Sequence, residues 1–289
     1  MTLGFVLALG SAVFYGAGDF TGGLTTRRAS IIPVVVLSQA SGLIVLLLLL
    51  PLLPHASPTR TDFLWGAAAG LTGGVGVALL YRALAIGTMS VVAPVTAVCA
   101  VAIPVVYALL RGERPLPLAL WGIGLGVVSI VLVSKQPATV SIDGAQVSTR
   151  GRHVGVGTAL ASGVAIGFFF ITFAQSGSNA GMWPLLAARL VSVSLFAAIA
   201  IGAGKSLRIP GPVLKLVIVA GVLDMAANAL YVLATRIGPL SIVVTLSSLY
   251  PASTVLLARV VLKERLGGWQ VTGVAAALAA VLLIVLGSN

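Results

Sequence analysis

The chain carries nearly the same pattern twice, in one register. Gly155, Ser162, Gly167 and Thr172 each stand 151 residues after a matching residue: Gly4, Ser11, Gly16 and Thr21. The same offset relates Pro184 to Pro33, Gly221 to Gly70, Gly238 to Gly87 and Ser241 to Ser90. It also relates Glu264-Arg265 to Glu113-Arg114 and Gly273 to Gly122. An ungapped repeat limits the fold to two related halves packed on one another.

Composition fixes the solvent of those halves. The 289 residues are 59% hydrophobic and only 8% charged, against roughly 25% charged in a soluble domain. Such a chain cannot cover its surface with charge, so lipid is its surrounding. A net charge of +11 would suit nucleic acid if it formed a patch. Here the basic residues sit singly or in pairs between apolar runs, as membrane anchors and orientation signals do, and nucleic-acid binding is rejected. The single cysteine, Cys99, rules out an internal disulfide and a cysteine metal cluster. No basic region precedes the first apolar run, which therefore reads as a retained helix rather than a signal peptide.

A membrane-spanning helix needs about 20 apolar residues. Ten candidates follow: 3–24, 31–53, 63–81, 91–110, 118–134, 154–175, 181–203, 213–235, 241–260 and 267–287. The expected class is an all-α polytopic membrane protein of ten helices in two inverted five-helix repeats. Its units are 1–134, a polar linker at 135–153, and 154–289. The inversion follows because an odd number of spans brings the second copy in from the opposite side. Apolar inverted repeats of this kind point to a transporter. Runs such as GAAAGLTGG (66–74) and GIGLGVVS (122–129) place small residues on one helix face for close packing. Pro94, Pro104 and Pro251 remove backbone donors and predict kinks or local unwinding. Connections after the odd-numbered spans hold twelve basic residues and those after the even-numbered spans four. The positive-inside rule places the linker in the cytoplasm and both termini outside.

Few charges fall inside the spans, and each costs at least about 2.5–3.5 kcal/mol at a helix centre. Asp224 sits mid-span, with Asn228 and Tyr231 four and seven residues on, along one helical stripe. A carboxylate, an amide and a phenol on one face suit a cavity wall or an interhelical hydrogen-bond cluster. Arg189, one span earlier, stays charged in apolar surroundings and needs a partner; Asp224 is the nearest carboxylate along the chain. The pair reads either as structure or as a clamp for a substrate carboxylate or phosphate. Asp224 is the first candidate for exchanging a proton. Asp19, in YGAGDFTGG, is the second, as a proton or cation carrier or as a helix-end residue in water. The repeat-mates of Asp19 and Asp224 are Phe170 and Gly73, so the acids break the symmetry. Tyr15, Tyr81, Tyr231 and Tyr250 suit the lining of an amphipathic cavity, and Trp183 an interfacial anchor. Gln39, Thr245, Ser247 and Ser248 are further polar groups in the spans, with site and backbone-bonding roles both open. Glu113 and Glu264, flanked by arginines, read as structural clamps at repeat-related turns.

The stretches GTMSVVAP, LLRGERPLP and WGIGLGVVSIVLV, repeated as GPLSIVVT, LYPAS and VLKERLGGWQVTGVAAALAAVLLIVLG, resemble the EamA domain of the drug/metabolite transporter superfamily. Tyr15-Gly16-Ala17 and Ile166-Gly167-Phe168 partly match its first helix. Pro184 and Arg189 match its second helix in the second copy, whereas Ser38 replaces the arginine in the first. The resemblance implies ten helices in two inverted repeats that carry small metabolites, often outward. The expected function is secondary transport across the inner or plasma membrane by alternating access, with export of amino acids or related amphipathic compounds. The partners are a small-molecule substrate and the bilayer, with protons a candidate coupling ion, no cofactor, and a monomer or homodimer. A sugar, polyol or nucleotide-type uptake carrier is the rival within transport. A membrane-embedded lipid-processing enzyme is the rival from another class. It lacks support, because both histidines, His55 and His153, fall in loops and Asp19 and Asp224 are on distant spans.

Overall fold

The computed structural model describes residues 2–52, 55–112, 116–134, 150–237, 243 and 246–287. Among them are ten α-helices and no strand. In chain order they are α1 (Thr2–Thr26), α2 (Ile31–Leu49), α3 (Arg60–Ile86), α4 (Met89–Leu110) and α5 (Pro117–Ser134). The second half gives α6 (Arg150–Phe173), α7 (Trp183–Gly202), α8 (Gly211–Ile237), α9 (Tyr250–Val261) and α10 (Gly268–Gly287). Eight are long and apolar enough to cross a membrane; α5 and α9 carry shorter apolar stretches, Pro117–Ser129 and Tyr250–Val261. Side chains such as Leu110 and Ile201, 82% and 80% exposed, face outward as lipid-facing residues do. Of the sequence expectations, Glu113, Gly238, Ser241, Thr245 and linker residues 135–149 lie outside the described residues.

The helices alternate in direction. Arg27, just past the end of α1, donates to the carbonyls of Leu84 and Gly87 at the end of α3 (3.1 Å each). Gly87 in turn packs against Gly155 at the start of α6. The end of α1 and the start of its repeat-mate α6 therefore share one face, so the two copies run in opposite senses. Interlocking contacts show the same symmetry. Ser11 Oγ donates to the Ala227 carbonyl (2.9 Å), and its repeat-mate Ser162 Oγ donates to that of Gly76 (2.8 Å), the mate of Ala227. Thr96 Oγ1 bonds the Ala159 carbonyl (3.2 Å), and its mate Ser247 bonds Ala8 (3.4 Å). Exchanged contacts of this kind are what a two-fold axis between the halves requires, and a buried hydroxyl without such a partner would cost about 1–3 kcal/mol.

Small residues decide how closely the helices meet, since lipid provides no hydrophobic force between them. Gly70 of α3 lies on Ala188 of α7, and its mate Gly221 of α8 lies on the Ser38 carbonyl of α2. Gly122 and Gly126 of α5 receive Ile284 and Ala280 of α10. Pro94 and Pro104 lie inside α4. Pro251, expected to kink or unwind a span, sits at such a break: residues 246–247 are helical, 248–249 form a turn, and Pro251 falls in the first turn of α9, where a missing N–H is tolerated. The third helix is also longer than the stretch 63–81. Thr59 and Asp62 form a capping box at its start, and Asp62 Oδ1 accepts from Gly177 N at 2.6 Å, fastening the α6–α7 connection.

Glu264 is a clamp, as the sequence suggested, but its cation is Arg27 (3.7 Å) rather than the adjacent Arg265. Its carboxylate accepts from Met89 N, Ser90 N (3.0 Å each) and Ser90 Oγ (2.8 Å). It thereby satisfies the free donors at the start of α4 and opposes the positive end of that helix dipole. Glu264→Gln is expected to cost about 1–3 kcal/mol, read as a lower melting temperature in detergent.

Candidate functional site

Three helices bring one polar group each to the same place. On α2 and α8, Gly42 meets the Gly221 backbone, and this approach sets Gln39 and Asp224 within reach of α7. Arg189 of α7 spans the gap: Nη1 donates to Gln39 Oε1 and Nη2 to Asp224 Oδ2. Its Nε is buried with no acceptor. Ser192, one turn on, faces Gln39 Oε1 at 3.4 Å and bonds the Arg189 carbonyl at 3.1 Å. The pair is unequally enclosed: the Arg189 side chain is 10% exposed and that of Asp224 25%. Asp224 stands midway along the 27 residues of α8, about 20 Å from either end at ~1.5 Å per residue. The ion pair thus lies near mid-membrane and is open on the carboxylate side.

Tyrosines and a second acid surround it. Gly18 packs on the backbone of Asp224, bringing Asp19 of α1 alongside. Tyr81 lies over Gly22, where any side chain would collide with its ring. Tyr15, one turn before Asp19, meets Tyr250 edge to face with centroids 6.2 Å apart. Asp224 and Asp19 are within electrostatic reach of each other and of Tyr15 and Tyr81.

The remaining candidates fall elsewhere or are otherwise engaged. Asn228 spends its amide on the Asp224 carbonyl at 2.7 Å, a bond within its own helix. Tyr231 packs with Ala8, Ala234 and Val243 and remains in electrostatic range of Tyr15. Ser247 is committed to α1 through Ala8, and Ser248 precedes α9, partly exposed. Sequence reasoning did not single out Ser192 or Ser38. Ser192 was findable, being on the Arg189 face one turn along. No group of three His, Cys, Asp or Glu among the described residues is placed to hold a metal ion.

The site breaks the symmetry that the fold keeps. Tyr15, Asp19, Gln39, Tyr81, Arg189 and Asp224 correspond to Ile166, Phe170, Leu190, Val232, Ser38 and Gly73 in the other repeat. The polar cluster therefore draws on both repeats, and the symmetry-related positions hold no charged residue.

The model of the EamA-like transporter family matches residues 2–135 and 153–286, one match per repeat. The chain belongs to the EamA-like transporter family. It is a multi-pass membrane transporter for a small-molecule substrate, surrounded by lipid. A search of curated proteins found no match. This EamA-like transporter is similar in fold to a solved chain described only as a crystal structure of a protein. The two share 16% identity over 97% of each chain, with a TM-score of 0.57.

Proposed function

We propose that this EamA-like transporter exports a small amphipathic metabolite bearing a carboxylate and an amine, an amino acid or close relative, by alternating access around Arg189 and Asp224. The observation that carries this reading is the mid-membrane ion pair with an orphaned Arg189 Nε. A buried ion pair adds little stability, because desolvating both charges offsets their attraction. The first repeat packs the corresponding helices with Ser38 and Gly73, so packing alone does not call for the pair. An α-amino acid matches it. The carboxylate takes the guanidinium fork, including Nε, which suits bidentate recognition. The ammonium takes the freed Asp224 carboxylate. Charge balance is the same with the site empty or filled, so neither state leaves an unpaired ion in the hydrocarbon. A sugar or polyol offers neither charge and gives the pair no reason to open.

The test is exchange in proteoliposomes loaded with radiolabelled L-leucine. External amino acids are expected to compete. Their methyl esters and N-acetyl derivatives, each lacking one charge, are not. Equal competition by the methyl ester would reject the carboxylate clamp. The charge count further assigns the linker face to the cytoplasm of the cell membrane. A reporter active only in the cytoplasm is therefore expected to be silent at either terminus, and activity there would reverse the orientation.

A further inference from the structure

Asp19 takes no part in the Arg189–Asp224 pair. Among the described residues no hydrogen bond or ion pair reaches its carboxylate. Its side chain is neither fully buried nor fully exposed, and Tyr15, Tyr81, Tyr250 and Asp224 lie within electrostatic reach of it. Its neighbours on α1 fix what lies around it. Gly18 meets α8 at Asp224, Gly22 meets α3 at Tyr81, and Gly16 meets α9 at the Tyr250 carbonyl. Asp19 points between these contacts, with Tyr15 one turn away on the same face.

The charges there do not balance. Arg189 and Asp224 cancel, and Arg27 is held at the helix end by Glu264. Asp19 is left without an ion-pair partner among the described residues, and an unpaired carboxylate at this depth needs a proton or another cation. The rings of Tyr15 and Tyr250 stand within electrostatic reach of Asp19, and aromatic faces attract ammonium groups.

Resting on the carboxylate clamp described above, we propose that Asp19, with Tyr15 and Tyr250, seats a second amine of the substrate, so that the transported class is a basic amino acid of net charge +1. Arg189 takes its carboxylate, Asp224 its α-ammonium and Asp19 its distal ammonium, and the occupied site is neutral. The empty site becomes neutral when Asp19 takes a proton while Arg189 re-pairs with Asp224. One proton is thereby exchanged for one monocation. The other titratable groups facing Asp19 are Tyr15 of α1, Tyr81 of α3, Tyr250 of α9 and Asp224 of α8.

The experiment uses the purified full chain in proteoliposomes, comparing L-lysine with L-leucine under an opposing pH gradient. The wild type is expected to favour lysine by about tenfold or more, the loss of one cation–carboxylate contact at this depth being worth at least that much, and to be driven by the gradient. In Asp19→Asn the preference and the gradient dependence are expected to vanish; Asp19→Glu is expected to keep both. Leucine flux without lysine flux in the wild type overturns this inference and leaves the carboxylate clamp standing. Flux of neither overturns both. Gradient-driven lysine flux that survives in Asp19→Asn also overturns it. If Asp19→Asn is not recovered folded, Tyr250→Leu reads the same contact. Its lysine preference is expected to fall several-fold, and an unchanged preference overturns the proposal.

Discussion

Arg189→Lys is expected to reduce transport by roughly 30- to 100-fold while leaving the protein folded. The guanidinium serves Gln39 and Asp224 with two nitrogens and keeps Nε for a third acceptor. An ammonium keeps the charge but not the planar fork. Loss of one charge-assisted hydrogen bond costs about 1.5–3 kcal/mol, and each 1.4 kcal/mol is about tenfold in affinity. Asp224→Asn is expected to stop net transport altogether, since it leaves Arg189 without its counter-ion in the empty state and the substrate ammonium without a carboxylate. Folded protein recovered in detergent, paired with flux in vesicles, separates these losses from misfolding. Full activity in either variant would reduce the pair to a packing feature.

Gly221→Val is expected to prevent folding. Even a Cβ at this position meets the Ser38 carbonyl and Ser41 Oγ of α2, and the carbonyl is helix backbone that cannot swing aside. Overpacking costs about 1–3 kcal/mol where side chains can adjust and more where they cannot. The expected result is loss of monodisperse protein after detergent extraction. Gly124→Ala is the control, because nothing lies within 4 Å of a Cβ there; it is expected to behave as wild type. Normal recovery of Gly221→Val would mean that α2 and α8 do not meet as described.

The architecture was legible in the sequence because membrane helices announce themselves by length and apolarity, and an offset of 151 residues survives wherever packing demands a small residue. Ser11 with Ser162, and Gly70 with Gly221, kept their identities since each performs the same contact in both halves. The pairing of Arg189 with Asp224 was readable from charge economy alone: in hydrocarbon a guanidinium must find a carboxylate. Gln39 as the third member was not, since nothing along the chain tells which face of α2 turns toward α7. Asn228, placed below Asp224 by helical spacing, donates to the Asp224 carbonyl of its own helix. The cation of Glu264 was likewise invisible, because Arg27 is brought beside it only when α1 and α3 end on the same face. Pro251 was readable as a break, because it removes a backbone donor inside the span, and the turn at 248–249 stands there.

The most direct measurement puts the symmetry-related residues in place of the ion pair. In the first half the positions of Arg189 and Asp224 are held by Ser38 and Gly73. The double variant Arg189→Ser with Asp224→Ala reproduces that uncharged arrangement, with alanine sparing the helix the entropy cost of glycine. A pair kept for function contributes little to folding and costs desolvation. The double variant is therefore expected to melt at the wild-type temperature or above it in detergent, and to carry no amino acid across proteoliposomes. A double variant that fails to fold, or one that still transports, would contradict the assignment of Arg189 and Asp224 as the substrate clamp.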